Sequence, residues 1–133
     1  RRVLFRSVAE DTSSSHFLGL LEAWEDYPFG PDVAVFKVGR RMFGTLAKRG
    51  DMPSINLKCD PAEALALRDI FEAVRPGYHM NKVHWNTVDL DGSVPTAEVA
   101  RMIDNSYALV VRTLPRKESD ALVLRHGPGA VFR

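Results

Sequence analysis

The densest group of polar and aromatic side chains in this sequence is His79, Asn81, Lys82, His84, Trp85 and Asn86. Two imidazoles could serve as general acid and base or as metal ligands. Lysine and asparagine beside an indole could instead hold phosphate and stack a base. The plainest alternative is a hydrogen-bonded hairpin whose polar side chains fix a turn and its register. A metal site needs a third ligand at a defined spacing, and none stands nearby in the sequence. The chain also has no phosphate-binding glycine loop, zinc-binding cysteine set or nucleophile elbow. No metal, no cofactor and no catalytic activity are expected.

A second group is basic. Residues 37–58 hold Lys37, Arg40, Arg41, Lys48, Arg49 and Lys58 against Asp51 alone, a net +5 in a chain whose overall formal charge is +1. Residues 1–36 carry a net −3, so the charge is segregated rather than diluted. Phosphate binding needs several cations on one surface, because each neutralised phosphate releases counterions. Charges also protect exposed strands from edge-to-edge pairing, and a merely solvated hairpin stays open as the alternative. The candidate phosphate contacts are Lys37, Arg40, Arg41, Lys48, Lys58 and Lys82, with His79, Asn81, His84 and Trp85 shaping the surface.

Other sites are weaker. Tyr27-Pro28-Phe29-Gly30 could be a recognition loop, although such a loop more often packs over a core edge. Cys59 falls on the apolar side of its segment with no charged activator on that side, which predicts a buried, inert thiol.

Several elements must position these residues. The chain has 133 residues, 45% hydrophobic and 26% charged, a balance that fits one folded domain and argues against disorder. The single cysteine excludes an internal disulfide and suits a reducing compartment. No apolar run approaches the roughly 20 residues that span a bilayer. The N-terminal arginines lead into no signal-peptide core, so a cytoplasmic location is expected. Val3-Leu4-Phe5-Arg6-Ser7 is also the translation of one frame of a common sequencing adapter. Residues 1–8 are therefore expected to be extraneous.

Ser13–Ser15 offer caps for a helix carrying Phe17, Leu18, Leu20, Leu21 and Trp24. Strands are predicted over 32–38 and 41–48, joined at Gly39-Arg40, and over 54–59, where Ile55, Leu57 and Cys59 alternate with polar neighbours. Asp60-Pro61-Ala62-Glu63 predicts a capped helix start, with a stripe of Ala64, Leu67, Phe71 and Val74. Two further strands are predicted over 78–82 and 84–90. On the latter, Trp85 shares a side with Val83 and Thr87. It is expected to anchor beneath a helix, the alternative being an exposed stacking platform. A last helix opens at Ser93 or Thr96 and turns Val99, Met102, Ile103, Ser106, Val110 and Leu114 inward. The expected fold is α+β, two-layered, of order α-β-β-β-α-β-β-α. Its five-stranded antiparallel sheet has helices on one face. Residues 9–115 form the domain, and 116–133 an irregular tail.

Three stretches carry a family resemblance. They are Glu25-Asp26-Tyr27-Pro28-Phe29-Gly30-Pro31-Asp32 with Val35-Phe36-Lys37-Val38-Gly39; Ile55-Asn56-Leu57-Lys58-Cys59-Asp60-Pro61; and Pro76-Gly77-Tyr78-His79-Met80-Asn81-Lys82 with His84-Trp85-Asn86-Thr87-Val88. Over roughly residues 20–115 the chain resembles the MmcQ/YjbR family. Ser106-Tyr107 and Leu109-Val110-Val111 fit that family's last helix. The resemblance implies a two-layer fold like that of type III secretion chaperones, and DNA binding through exposed wing-like strands. The first helix and the tail after Pro115 depart from the family pattern. DNA is the expected partner, bound with weak sequence specificity. A homodimer or a peptide- or protein-binding role remains open as the alternative.

Overall fold

The computed structural model describes residues 8–132. The expectation that residues 1–8 are extraneous falls outside that range except for Val8, which opens the first helix. The elements are α1 Val8–Leu18, β1 Ala23–Asp26, β2 Ala34–Val38, β3 Arg41–Arg49, β4 Met52–Lys58, α2 Pro61–Ile70, β5 Val74–Pro76, β6 Trp85–Asp89, α3 Thr96–Thr113, α4 Arg116–His126 and α5 Pro128–Val131. The strands form one antiparallel sheet in the order β1-β2-β3-β4-β6-β5.

The α+β class and one-sided helix layer agree with the sequence. Ile55, Leu57 and Cys59 are buried with Ala34, Phe36, Val38, Leu46 and Val88 beneath the helices. All six predicted inward residues of α3 and its C-terminal cap are buried. Asp60 caps α2 by accepting from the Ala62 and Glu63 N–H groups at 3.1 and 3.4 Å. The Glu63 carboxylate pairs with Arg101 of α3 at 2.8 Å.

A β-bulge lies at the centre. Phe36 faces Gly44 but Lys37 faces Met42, so Phe43 is an extra residue on β3. Its ring turns into the core and meets Tyr107 edge-on, with centroids 5.3 Å apart. The Phe17 ring stacks on Phe36 at 4.2 Å and lies over Gly44, where a Cβ would come within 2.1 Å of it. Ser106 fastens α3 to this region. Its hydroxyl donates to the Phe43 carbonyl at 2.6 Å and accepts from the Lys58 N–H at 2.9 Å.

Five expectations are corrected. The sheet has six strands, because residues 23–26, assigned to the end of the first helix, pair with β2. The first helix instead starts at Val8 and stops before Gly19, so Ser13 and Ser14 lie inside it. Residues 78–82 form no strand. The helix before them ends at Ile70, and Val74 opens β5, which takes the place beside β6. The chain after Pro115 is helical, not irregular. Leu122 and Val131 reach the core, and Glu22 accepts from Arg125 at 2.8 Å twice and lies 2.9 Å from His126. Finally, Trp85 does not lie beneath a helix: its neighbours Asn86 and Val88 do, and Trp85 faces the other way.

Cys59 is buried as expected. Burial, helped by the nearby Glu63 and Asp60 carboxylates, pushes its thiol up to about 11. At about pH 8 native Cys59 should therefore react with a soluble thiol reagent about two orders of magnitude more slowly than in denaturant. Equal rates in timed labelling would show that the thiol is open to solvent.

Candidate nucleic-acid interface

With the helices on one side, alternation assigns the remaining side chains to the opposite face of the sheet. The middle of that face is lined by Val35, Thr45, Ala47, Ser54, Asn56 and Thr87, of which Val35, Thr45, Ser54 and Thr87 are buried. Longer side chains stand at both strand ends. The open face is built along the register of the strands. Trp24 of β1 pairs with Lys37 of β2, and Lys37 pairs with Met42 of β3. One residue further along, Lys58 of β4 pairs with Trp85 of β6. The step between the two groups is the Phe43 bulge. A row of side chains thus crosses the sheet in the order Trp, Lys, Met, Lys, Trp. Four inter-strand gaps separate its ends, roughly 19 Å.

Lys37 sits 5.2 Å from the centroid of the Trp24 ring and donates to Asp26 at 2.7 Å. That hydrogen bond, with one from the Tyr27 N–H, holds the Asp26 carboxyl below its ordinary range. Trp24 is 43% exposed, and its indole N–H is fixed by the Gly39 carbonyl at 2.9 Å. Lys58 and Trp85 are half-buried. Arg40 projects from the hairpin tip at the same end of the sheet.

The loop after β5 frames Trp85. Arg68 of α2 donates through Nε to Asn86 at 2.7 Å, and through Nη2 to the carbonyls of Lys82 and Trp85. Asn81 accepts from the N–H groups of Val83 and His84 at 2.9 and 3.2 Å, and Lys82 donates to the Gly77 carbonyl at 2.8 Å. Asn81 and Lys82 therefore shape the loop. His79 has φ 58°, a left-handed conformation, and its ring lies 3.9 Å from that of Tyr78. The backbone of Tyr78 binds the open face: Thr87 Oγ accepts from its N–H at 2.8 Å, and Asn56 donates to its carbonyl at 3.3 Å. The Arg49 guanidinium covers the Tyr78 ring at 3.9 Å.

The ten predicted residues thus divide. Lys37, Lys58 and Trp85 gather at one end of the open face, with Arg40 at the neighbouring hairpin tip and Asn81 and Lys82 in the adjoining loop; His84, one residue before Trp85, falls by alternation on the side of Asn86 instead. Arg41 turns to the helix layer and donates to the Thr113 carbonyl at the end of α3. Lys48 also points to the helix side, 3.7 Å from Glu10 of α1. His79 belongs with Tyr78 and is separated from His84 by the loop. Sequence reasoning missed Trp24, Met42 and Tyr78. Trp24 and Met42 could have been found only from the β1 pairing and the bulge. Among the described residues no three His, Cys, Asp or Glu side chains form a metal-binding group. Among them, too, no helix is long and apolar enough to cross a membrane.

An α+β domain with one layer of helices and an open, aromatic and basic sheet face is the class these features define. The family model described as YjbR matches residues 18–109. The chain belongs to the YjbR family. It is 38% identical over 92 residues to an uncharacterized protein YbdF of Escherichia coli O157:H7, covering 69% of this chain and 75% of the relative. It is equally identical over 87 residues to the uncharacterized protein YjbR of E. coli K12, covering 65% and 74%. Among solved structures, Deinococcus radiodurans protein DR2400, with a DUF419 domain, matches at a TM-score of 0.78 and 35% identity, covering 84% of this chain and 86% of that one. A protein from Pseudomonas syringae matches at a TM-score of 0.64 and 27% identity, covering 78% and 98%.

Proposed function

We propose that this protein is a non-catalytic, cytoplasmic nucleic-acid-binding protein that uses the Lys37–Lys58 end of its open sheet face. The supporting observation is the row of two lysines and two tryptophans across the strands, with Arg40 beside it. Cations there would take phosphates, and the indoles would take bases. Lys37 and Arg75 are paired with the open-face carboxylates Asp26 and Asp89 at 2.7 Å, so each pair is locally neutral and the net positive charge of this end comes from Lys58 and Arg40. Arg41 and Lys48 drop out of the contact set, since both bind the helix layer.

Titrating a labelled oligonucleotide at several salt concentrations tests this. With about two to four phosphates neutralised, log affinity should fall against log salt with a slope of about −1.5 to −3.5. Folded protein that binds no nucleic acid at low salt would overturn the reading and favour a peptide- or protein-binding module.

A further inference from the structure

The row that supports nucleic-acid binding also selects its form. Resting on that reading, we propose that the substrate class is single-stranded nucleic acid, lying across the strands from Trp24 to Trp85 with bases stacked on both indoles.

Three observations carry this. First, the two indoles stand on the outermost and fifth strands of the sheet, on one face, with a lysine next to each. A base can stack on an indole only after it has left the helical stack, so exposed rings on a sheet discriminate for single strands. Second, the spacing fits an extended chain rather than a groove. The row is roughly 19 Å long and nearly straight, with its cations between the rings. The Trp24 indole is 43% exposed and fixed by its N–H bond to the Gly39 carbonyl at 2.9 Å, so one stacking platform is preorganised. Third, the middle of the row holds Met42, a flexible apolar side chain that adapts to different bases. This suits tolerance of sequence. Among the described residues no helix projects from this face to enter a major groove; α2 and α3 pack on the other side.

The sequence makes the test direct, because Trp24 and Trp85 are its only two tryptophans. Tryptophan emission of the full chain is followed while adding an oligothymidylate of about twelve nucleotides, a length within the range of known single-strand sites. The same titration is run with a duplex of equal length. Trp24→Phe and Trp85→Phe leave one reporter each. Trp24→Leu and Trp85→Leu remove a platform, with thermal melting run alongside to confirm folding.

The single strand should bind more tightly than the duplex and quench both single-tryptophan variants. Each leucine variant should lose about 5- to 150-fold in single-strand affinity, and each phenylalanine variant much less. Duplex binding that is equal or tighter would overturn the single-strand assignment and leave nucleic-acid binding standing. Single-strand binding that quenches neither variant would overturn the placement across the row. If neither nucleic acid binds folded wild-type protein at low salt, both readings fall together. Should a leucine variant unfold, the phenylalanine variants still decide through quenching.

Discussion

Gly44→Ala is expected to destabilise the protein by about 1–3 kcal/mol, although alanine is ordinarily the better residue inside a regular element. The cause is the Phe17 ring, which occupies the place of the missing side chain: three ring carbons lie 2.1, 2.7 and 3.1 Å from the position of a Cβ. The ring cannot swing away, because it is stacked on Phe36 and tilted against Phe43. Phe17→Ala alone should cost about 3–5 kcal/mol by opening a cavity. Combining the two places the new methyl in part of that cavity. The double variant should then be more stable than the sum of the single losses predicts, by about 1–3 kcal/mol. Urea unfolding of the four proteins gives the cycle. Strict additivity would mean that Phe17 and Gly44 are not in contact.

Asn86→Leu should have a comparable effect on stability and a further one on the site. Asn86 is 2% exposed and occupies the centre of a small network. It accepts from Arg68 and donates to the Ala64 carbonyl at 3.3 Å. Leucine has nearly the same size but leaves the Arg68 Nε without its carboxamide acceptor. A charge-assisted bond of this kind is worth about 1.5–3 kcal/mol, and desolvation of the orphaned donor adds to the loss. Arg68 also holds the carbonyls of Lys82 and Trp85, so the loop from Gly77 to His84 should loosen. Faster amide hydrogen exchange is expected at Gly77 and Cys59, whose N–H groups bind the Trp85 and His84 carbonyls. Unchanged exchange at both amides would separate Asn86 from the positioning of Trp85.

The parts of this structure that could be read from the sequence are those with a period long enough to show itself. Residues 54–59 alternate over six positions, and α3 repeats its apolar face over five turns. The start of α2 was legible because Asp60 and Pro61 act locally. Strand β1 was not, since four residues display no period and their pairing is supplied by β2. Phe71 and Val74 continue the spacing of α2, so the three-residue strand β5 was absorbed into a helix. The loop at 77–84 resembled a strand in composition, but its path is set by Arg68, a residue of another element. Helix α4 has its apolar residues in one run, Ala121-Leu122-Val123-Leu124, rather than at helical spacing, and only Leu122 is buried, so it lacked an apolar stripe.

The site was legible in type and only partly in place. Lys37, Arg40, Lys58 and Trp85 do converge on one end of the sheet, whereas Lys48 and Arg49 stand at the far end of β3. Which side Arg41 takes depends on the bulge at Phe43. Without it Arg41 would share the open face; with it Arg41 turns inward and Met42 takes its place in the row. A single inserted residue reverses the alternation, and nothing in the local sequence announces it. Lys48 could have been assigned correctly, because it alternates with the buried Leu46.

Nucleic-acid binding at this end of the sheet is tested most directly by comparing Lys58→Gln with Lys48→Gln in salt titrations of oligonucleotide affinity. Each substitution removes one positive charge, so net charge changes equally. Lys58 lies in the row between Met42 and Trp85, whereas Lys48 faces Glu10 on the helix side. Lys58→Gln should weaken binding and reduce the magnitude of the log–log salt slope by about 1, with Lys48→Gln close to wild type. Equal effects from the two variants, or no effect from Lys58→Gln, would contradict an interface on the open face.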